Sequence, residues 1–394
     1  MKYNFDEIID RKNTSCLKHD LAKQVFNTSE EIIPMWVADM DFKSPEVIVN
    51  ALKERCNHEV FGYTAPPKEY FYSVLNWLKK RYNINAKKNE FHFIPGIVAG
   101  IAYCLQAFTK VGDNVLITTP VYPPFINLPK DTGRNLIISK LKIVNGRFEI
   151  DFDDFEEKAK NSKVFIMSNP HNPGGTVWTK QELVKIAEIC FKYNVLVISD
   201  EIHADLTFKQ FNHTSFSTIS QNASDISVTF IAPSKTFNIA GLSSSIAYVP
   251  NNHLREVFYG YLESTHVAFG NIFAYVAATA AFSDEADEWL EQLNEYVWKN
   301  VEFVCDFIDE NMPNVKYIKP EASFLVWIDF KGLNIEHPTL KNLLINEAKV
   351  GMNDGLDFGD QNECCFRMNV GCPLSIVKQA LNQILNALKK YNYV

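Results

Sequence analysis

The chain has no apolar stretch approaching the roughly 20 residues that a membrane-spanning helix requires. Its eight cysteines include no Cys-x-x-Cys pair, so a zinc ribbon or a dithiol redox centre lacks its usual ligand spacing. The adjacent Cys364 and Cys365 do not suggest a metal site either. Free, mostly buried thiols in a reducing compartment are the expected state. Basic charge is not in excess: the formal net charge is −8 at pH 7, which removes the electrostatic footprint of a nucleic-acid binder. No low-complexity tract or repeat interrupts the chain. The opening Met1-Lys-Tyr-Asn-Phe-Asp-Glu-Ile8 turns acidic too early for a secretory signal, and the expected location is the cytoplasm. What is present is 394 residues of 46% hydrophobic content, enough to bury a large core and to form more than one domain.

Three short apolar runs, at 164–168, 195–199 and 227–232, are rich in β-branched and aromatic residues. Continuous runs of this length suit parallel strands covered on both faces. Residues 180–191 between the first two carry a helical pattern, which makes a βαβ crossover. Each run leads into a chemically suggestive stretch: Asn169-Pro-His-Asn-Pro-Gly-Gly175, Asp200-Glu-Ile-His203 and Ser234-Lys235. In open α/β sheets ligands bind beyond the carboxyl ends of the strands, where all three stretches fall.

Together they match what pyridoxal phosphate requires of a protein: a lysine to condense with its aldehyde, a carboxylate to keep the pyridine nitrogen protonated, and a donor to its phenolic oxygen. Lys235, Asp200 and Asn172 are the respective candidates. Singly, each has an ordinary explanation, since most lysines are solvated and an aspartate leaving a strand is often a turn or cap residue. Next to a pyridinium, Asp200 would be held ionised by the opposite charge. Lys235, once displaced by a substrate amine, would be a free base beside the substrate's Cα.

A phosphate site is expected at 95–100. The strand-like Phe91-His-Phe-Ile94 is followed by Pro-Gly-Ile97-Val98-Ala-Gly100 and then by a helical run to Phe108. A glycine turn opening a helix presents free N–H groups and the positive dipole end to an anion, with Ile97 and Val98 in its first turn. Small residues there also permit simple close packing. Ser234 is a candidate hydroxyl donor. Tyr122 follows a further strand at 114–118 and is the candidate ring to stack on the pyridine face.

With those residues in view, the chain resembles fold-type I pyridoxal-phosphate enzymes of the aminotransferase class I and II superfamily, and within it the cystathionine β-lyase group that includes MalY and PatB. The resemblance runs almost end to end, through Trp36-Val-Ala-Asp-Met-Asp-Phe42, Phe61-Gly-Tyr-Thr64, the stretches above, Ala232–Leu242 and Phe366-Arg-Met-Asn369. It implies an α/β fold, a large domain with a mostly parallel sheet flanked by helices plus a smaller α+β domain. It also implies that Arg367 binds the substrate α-carboxylate, and that Tyr63 reaches the cofactor phosphate of a neighbouring subunit in a homodimer with shared sites. Two departures from the transaminase pattern favour the β-lyase branch: His203 stands where transaminases usually carry a tyrosine, and Ser243 where they carry a phosphate-holding arginine. His203 is expected at the cofactor, with a purely supporting role as the alternative.

The implied reaction is α,β-elimination from an amino acid with a sulfur leaving group at Cβ, such as cystathionine, giving thiol, pyruvate and ammonia. A transaminase is the alternative, and a regulatory binding role could accompany catalysis. The domain boundaries expected are 46–285 for the large domain, with 1–45 and 286–394 forming a discontinuous small one. Helical patterning at 285–311 and 374–391 and strands at 323–329 and 365–369 build the latter. The polar stretch 209–224 reads as a loop. Ala38, Trp36 and the segment 261–269 are candidates for contacting substrate.

Overall fold

A computed structural model describes residues 2–267 and 269–394. Its larger sheet has eight strands, in the order Phe91–Ile94, Ser245–Tyr248, Ser227–Ile231, Leu196–Asp200, Val164–Ser168, Asn114–Thr119, Asn135–Val144 and Arg147–Ile150. The central pairings are parallel, and both ends are closed by antiparallel neighbours.

The three runs singled out in the sequence are the central strands, and every residue in them is buried. The two-residue period of a strand divides their side chains between two cores. Val164, Ile166 and Ile198 pack under the helix Ile97–Phe108, beside its Ile101 and Leu105. Phe165, Met167 and Val197 pack on the opposite face under the helix Lys180–Lys192, against its Leu183 and Ile186. That second helix starts in a capping box, Thr179 with Glu182, which satisfies two otherwise orphan N–H groups.

A second, five-stranded sheet runs in the order Ile33–Met35, Val350–Asp354, Cys365–Asn369, Leu325–Asp329 and Lys316–Ile318. The long helices Asp284–Asn311 and Leu374–Lys390 supply much of the apolar cover through Val297, Val301, Leu381 and Ile384. Ile33–Met35 pairs in parallel with Val350–Met352, so the start of the chain is laid into a sheet made from its last third.

Three sequence expectations are corrected. The strand expected at 195–199 is shifted by one and ends with Asp200 itself, which therefore sits on the ladder rather than after it. The strand expected from Ser323 starts at Leu325, because Ser323 has φ +75° and cannot extend the ladder. The segment 209–224, expected as a loop, contains the helical turn Phe216–Thr218 and most of the short helix Gln221–Asp225; Phe216 is fully buried, and its N–H donates to Glu201 Oε1 at 2.9 Å. Among the described residues no helix is long and apolar enough to cross a membrane, and no cluster of metal-ligating side chains occurs.

Candidate active site

One cavity at the carboxyl ends of the central strands is lined by Lys235, Asp200, Asn172, Tyr122, His203, Ser234 and Ala38, together with the turn Pro95–Val98. The sheet register brings them together. Ser168 pairs with Asp200, and Asp200 pairs with Phe230 one strand over, so the turns carrying Asn172, Asp200 and Lys235 leave the sheet side by side. Lys235 lies in the single-turn helix Pro233–Thr236, entered through a proline at its first position.

The site's charges are out of their ordinary ranges, and burial is the leading cause for each. Asp200 is pushed up to about 7; among the described residues its carboxylate takes one hydrogen bond, from the N–H of Ile202 at 3.0 Å, and no ion pair, with Lys235 acting on it only through space. Lys235 is pushed down to about 8, with Arg367 adding to the effect and Asp39 and Asp200 opposing it. Arg367 is fully buried and lowered to about 10. A buried carboxylate without a cation and a buried guanidinium without an anion are each costly. That arrangement fits a cavity that receives a cationic ring nitrogen at one end and a carboxylate at the other.

Arg367 projects from the middle of the strand Cys365–Asn369. Its Nη1 donates to Asn172 Oδ1 at 2.9 Å, and its Nη2 donates to Asn353 Oδ1 at 2.6 Å and to the Trp36 carbonyl at 3.1 Å. Its guanidinium lies 4.9 Å from the Phe358 ring centroid. All these partners are neutral, so the cation is oriented without being neutralised. With Oδ1 committed to Arg367, the Asn172 NH2 is left for the cavity.

A strap at 36–42 closes one side. Its carbonyls are captured one after another: Trp36 by Arg367, Val37 and Asp39 by Asn369, Ala38 by Lys235 Nζ at 2.6 Å, and Met40 and Phe42 by Asn238. Arg11 grips the strap from outside through Asp39 and Asp41, and the almost fully buried Lys18 meets Asp41 at 2.6 Å. These ion pairs hold Asp41 well below the ordinary carboxylate range.

The expected phosphate cradle is placed at the cavity, but its two glycines differ in use. Gly96 caps the helix Ile97–Phe108 and lines the cavity with Ile97 and Val98. Gly100 faces the sheet, where a Cβ would come within 2.8 Å of the Phe230 ring, so it is there for packing. The consecutive serines Ser243, Ser244 and Ser245 also line the cavity, and Ser244 Oγ is buried with no partner among the described residues. An orphan hydroxyl beside free helix N-terminal N–H groups fits an anionic oxygen group.

Not every candidate arrives there. Tyr63 is fully exposed and outside the cavity of its own chain. Trp36 donates its indole N–H to the Lys18 carbonyl and packs edge-on against Phe26, so only its backbone serves the site. In the segment 261–269, Glu263, His266 and Phe269 line a separate cavity with Tyr70 and Phe93, and residue 268 lies outside the described residues. Sequence reading missed Asn353, Asn369, Ser244 and Ser323 as supporting groups. The run Ser243-Ser-Ser245 just past Lys235 was a usable signal; Asn369 and Ser323 become visible only through contacts more than a hundred residues apart, and Asn353 only through the pairing of its strand with that of Arg367.

Residues 30–384 match the family described as aminotransferase class I and II. The cystathionine β-lyase PatB of Bacillus subtilis is 38% identical over 98% of this chain and 100% of its own. Among solved structures, cystalysin of Treponema denticola, which contains pyridoxal 5′-phosphate, is 35% identical with a TM-score of 0.95, covering 99% of this chain and 100% of its own. A PLP-bound putative aminotransferase from Clostridium difficile 630 is 40% identical with the same TM-score, covering 98% and 100%.

Proposed function

The chain belongs to the aminotransferase class I and II family, and from its likeness within that family to PatB and cystalysin we infer that it is a pyridoxal-phosphate-dependent carbon–sulfur β-lyase. It acts on cystathionine or related S-substituted cysteines, consuming one water and releasing a thiol, pyruvate and ammonia. The carrying observation is the convergence of Lys235, Asp200 and Asn172 in one buried cavity, with Arg367 hydrogen-bonded to that same Asn172. His203 and Ser243 there replace the tyrosine and arginine of the transaminase pattern.

Lys235 would hold the cofactor covalently, and Asp200 would face its pyridine nitrogen. The NH2 of Asn172 and the ring of His203 would serve its phenolic oxygen, and Tyr122 the ring face. Ser234, Ser244 and the N–H groups of Ile97 and Val98 would take its phosphate. Bound there, the cofactor supplies an electron sink for the pair left on the substrate's Cα.

The chain's own groups do the rest. Arg367, lying against the Phe358 ring and oriented by three neutral acceptors, is the cation for the substrate carboxylate, and its Nε, buried with no partner among the described residues, still has a proton to give. Lys235 Nζ takes the Cα proton. Its pKa, lowered by burial to about 8, brings the free amine closer to neutral pH, as a general base needs. Asp200, buried and close to Lys235, contributes the negative charge that stabilises a cation at the far end of the cavity. The strap at 36–42 shields the reacting atoms from water, with Ala38 nearest to Lys235.

The lyase reading extends to a cytoplasmic homodimer. Val60, Phe61 and Tyr63 are exposed apolar and aromatic side chains on a segment without regular structure. A second copy covering that segment would place Tyr63 at its neighbour's phosphate. The chain is read as two domains, 46–285 and 1–45 with 286–394, in line with its two sheets.

The test uses purified protein and cystathionine with no keto acid present. Pyruvate, ammonia and free thiol should appear in equal amounts from a yellow protein. A protein that stays silent until a keto acid is supplied would be a transaminase, and the lyase reading would be lost.

A further inference from the structure

His203 leaves the strand end at Asp200, while Ser323 belongs to the other sheet's approach to Leu325–Asp329. Ser323 Oγ lies 3.1 Å from His203 Nδ1, and both side chains are buried. The serine is held in a left-handed conformation, φ +75°, with its N–H donating to the Leu206 carbonyl at 2.9 Å. Phe324, the next residue, packs against the imidazole with centroids 6.2 Å apart. The contact therefore joins the two sheets at the edge of the cavity.

Ser323 Oγ has His203 Nδ1 as its one hydrogen-bond partner among the described residues. If Nδ1 carried the proton and donated to Oγ, the hydroxyl's own proton would be left without an acceptor in a buried setting, which folded proteins avoid. The hydroxyl is therefore the donor, Nδ1 the acceptor, and the proton of a neutral ring is on Nε2. The ring is neutral because burial, reinforced by Lys235 and Arg367, holds it down to about 3. Nε2 makes no hydrogen bond to the described residues and is not among the enclosed orphan atoms, and His203 lines the Lys235 cavity.

We infer that Ser323 is a positioning residue that fixes His203 as a neutral Nε2–H donor into the cavity, where with the Asn172 NH2 it serves the anionic phenolic oxygen of the bound cofactor. The inference rests on the cofactor reading above. The other ionisable groups around the cavity are Asp200, Lys235, Tyr122 and, behind Asn172, Arg367; none of them hydrogen-bonds to the imidazole. A neutral donor at that oxygen favours its deprotonated form without adding a second positive charge next to Lys235.

The experiment has two readouts. The first is nitrogen-15 NMR of histidine-labelled, cofactor-free protein, with the His203 signals assigned by their loss in His203→Gln. Wild type should show a protonated Nε2 and a bare Nδ1, and Ser323→Ala should move both signals toward a mixture of tautomers. The second is the visible absorption of the holoenzyme against pH. Its midpoint should rise by about one unit, a tenfold change in proton affinity, in His203→Phe, and by less in Ser323→Ala. Ser323→Thr, which keeps the hydroxyl, should follow wild type. A protonated Nδ1 in wild-type protein overturns the inference, even if the alanine variant does not fold. So does a Ser323→Ala holoenzyme that titrates as wild type does. A wild-type protein that never turns yellow with pyridoxal phosphate would instead overturn the cofactor reading, while the NMR still decides the tautomer.

Discussion

Arg367 Nη1 donates to Asn172 Oδ1 at 2.9 Å, across 195 positions of chain. One contact thereby orients the two groups proposed above for different duties, the guanidinium for the substrate carboxylate and the amide NH2 for the cofactor. It also ties the strand Cys365–Asn369 of the smaller sheet to the turn following Val164–Ser168 of the larger.

Arg367→Lys should therefore lose more than charge counting suggests. Lysine keeps the cation but not the planar fork, nor the geometry that satisfies Asn172, Asn353 and the Trp36 carbonyl together. The expected result is a fall in kcat/KM of roughly a hundredfold, mostly in KM, with the visible spectrum of the bound cofactor retained. Steady-state kinetics beside the absorption spectrum check both halves. Unchanged KM would separate Arg367 from the carboxylate.

Asp200→Asn should stabilise the cofactor-free protein while weakening its hold on the cofactor. The folded-state pKa of about 7 lies above the ordinary value of 3.8. Ionised Asp200 is therefore a cost that is absent below pH 4, grows as pH rises, and is complete above pH 7. The variant should gain up to roughly 4 kcal/mol at pH 8 and well under about 1 kcal/mol at pH 4, read from denaturant unfolding at the two values. Affinity for pyridoxal phosphate should drop at least tenfold once the pyridinium's counter-charge is gone. A variant less stable than wild type at pH 8 would contradict the assignment.

Gly175→Ala should destabilise the fold by about 2–4 kcal/mol. Gly175 has φ +68°, and a Cβ there would come within 2.7 Å of the Ala322 carbonyl and also strike Pro320. Its own carbonyl accepts from the N–H groups of Glu321 and Ala322, both at 3.0 Å, so the segment cannot draw back freely. A urea midpoint equal to that of wild type would show that the 319–322 segment yields easily.

On the proposed homodimer, replacing Phe61 by Asp should shift the sedimentation of the protein from dimer toward monomer at micromolar concentration, with activity falling in parallel as each site loses the Tyr63 proposed to come from its neighbour. Phe61 packs only loosely on its own chain, beside Phe273 at 5.8 Å and under Arg55. A dimer that survives the change would place the interface elsewhere.

The central strands were legible because burial on both faces leaves a run of apolar residues that hardly any other element needs. Asp200 was legible because it closes such a run, and Asn172 and Lys235 because each follows one within four positions, where parallel strands collect their turns. The hairpin at 135–150 escaped notice: its exposed strand, with Lys140 and Lys142 among the apolar residues, looks like ordinary surface. Ile33–Met35 escaped because three residues carry no periodicity, and its partner Val350–Met352 lies in the last third of the chain.

Local sequence thus determined which turns carry chemistry, since a strand's pattern and its following residue are read within ten positions. Tertiary structure alone decided how those groups behave. Burial moved Asp200 to about 7 and Lys235 to about 8. Long-range contacts aimed the Asn172 amide through Arg367, captured the strap's carbonyls, and set Ser323 against His203. Protonation and orientation depend on desolvation and on partners brought from distant chain positions, and neither is written in a residue's neighbours along the sequence.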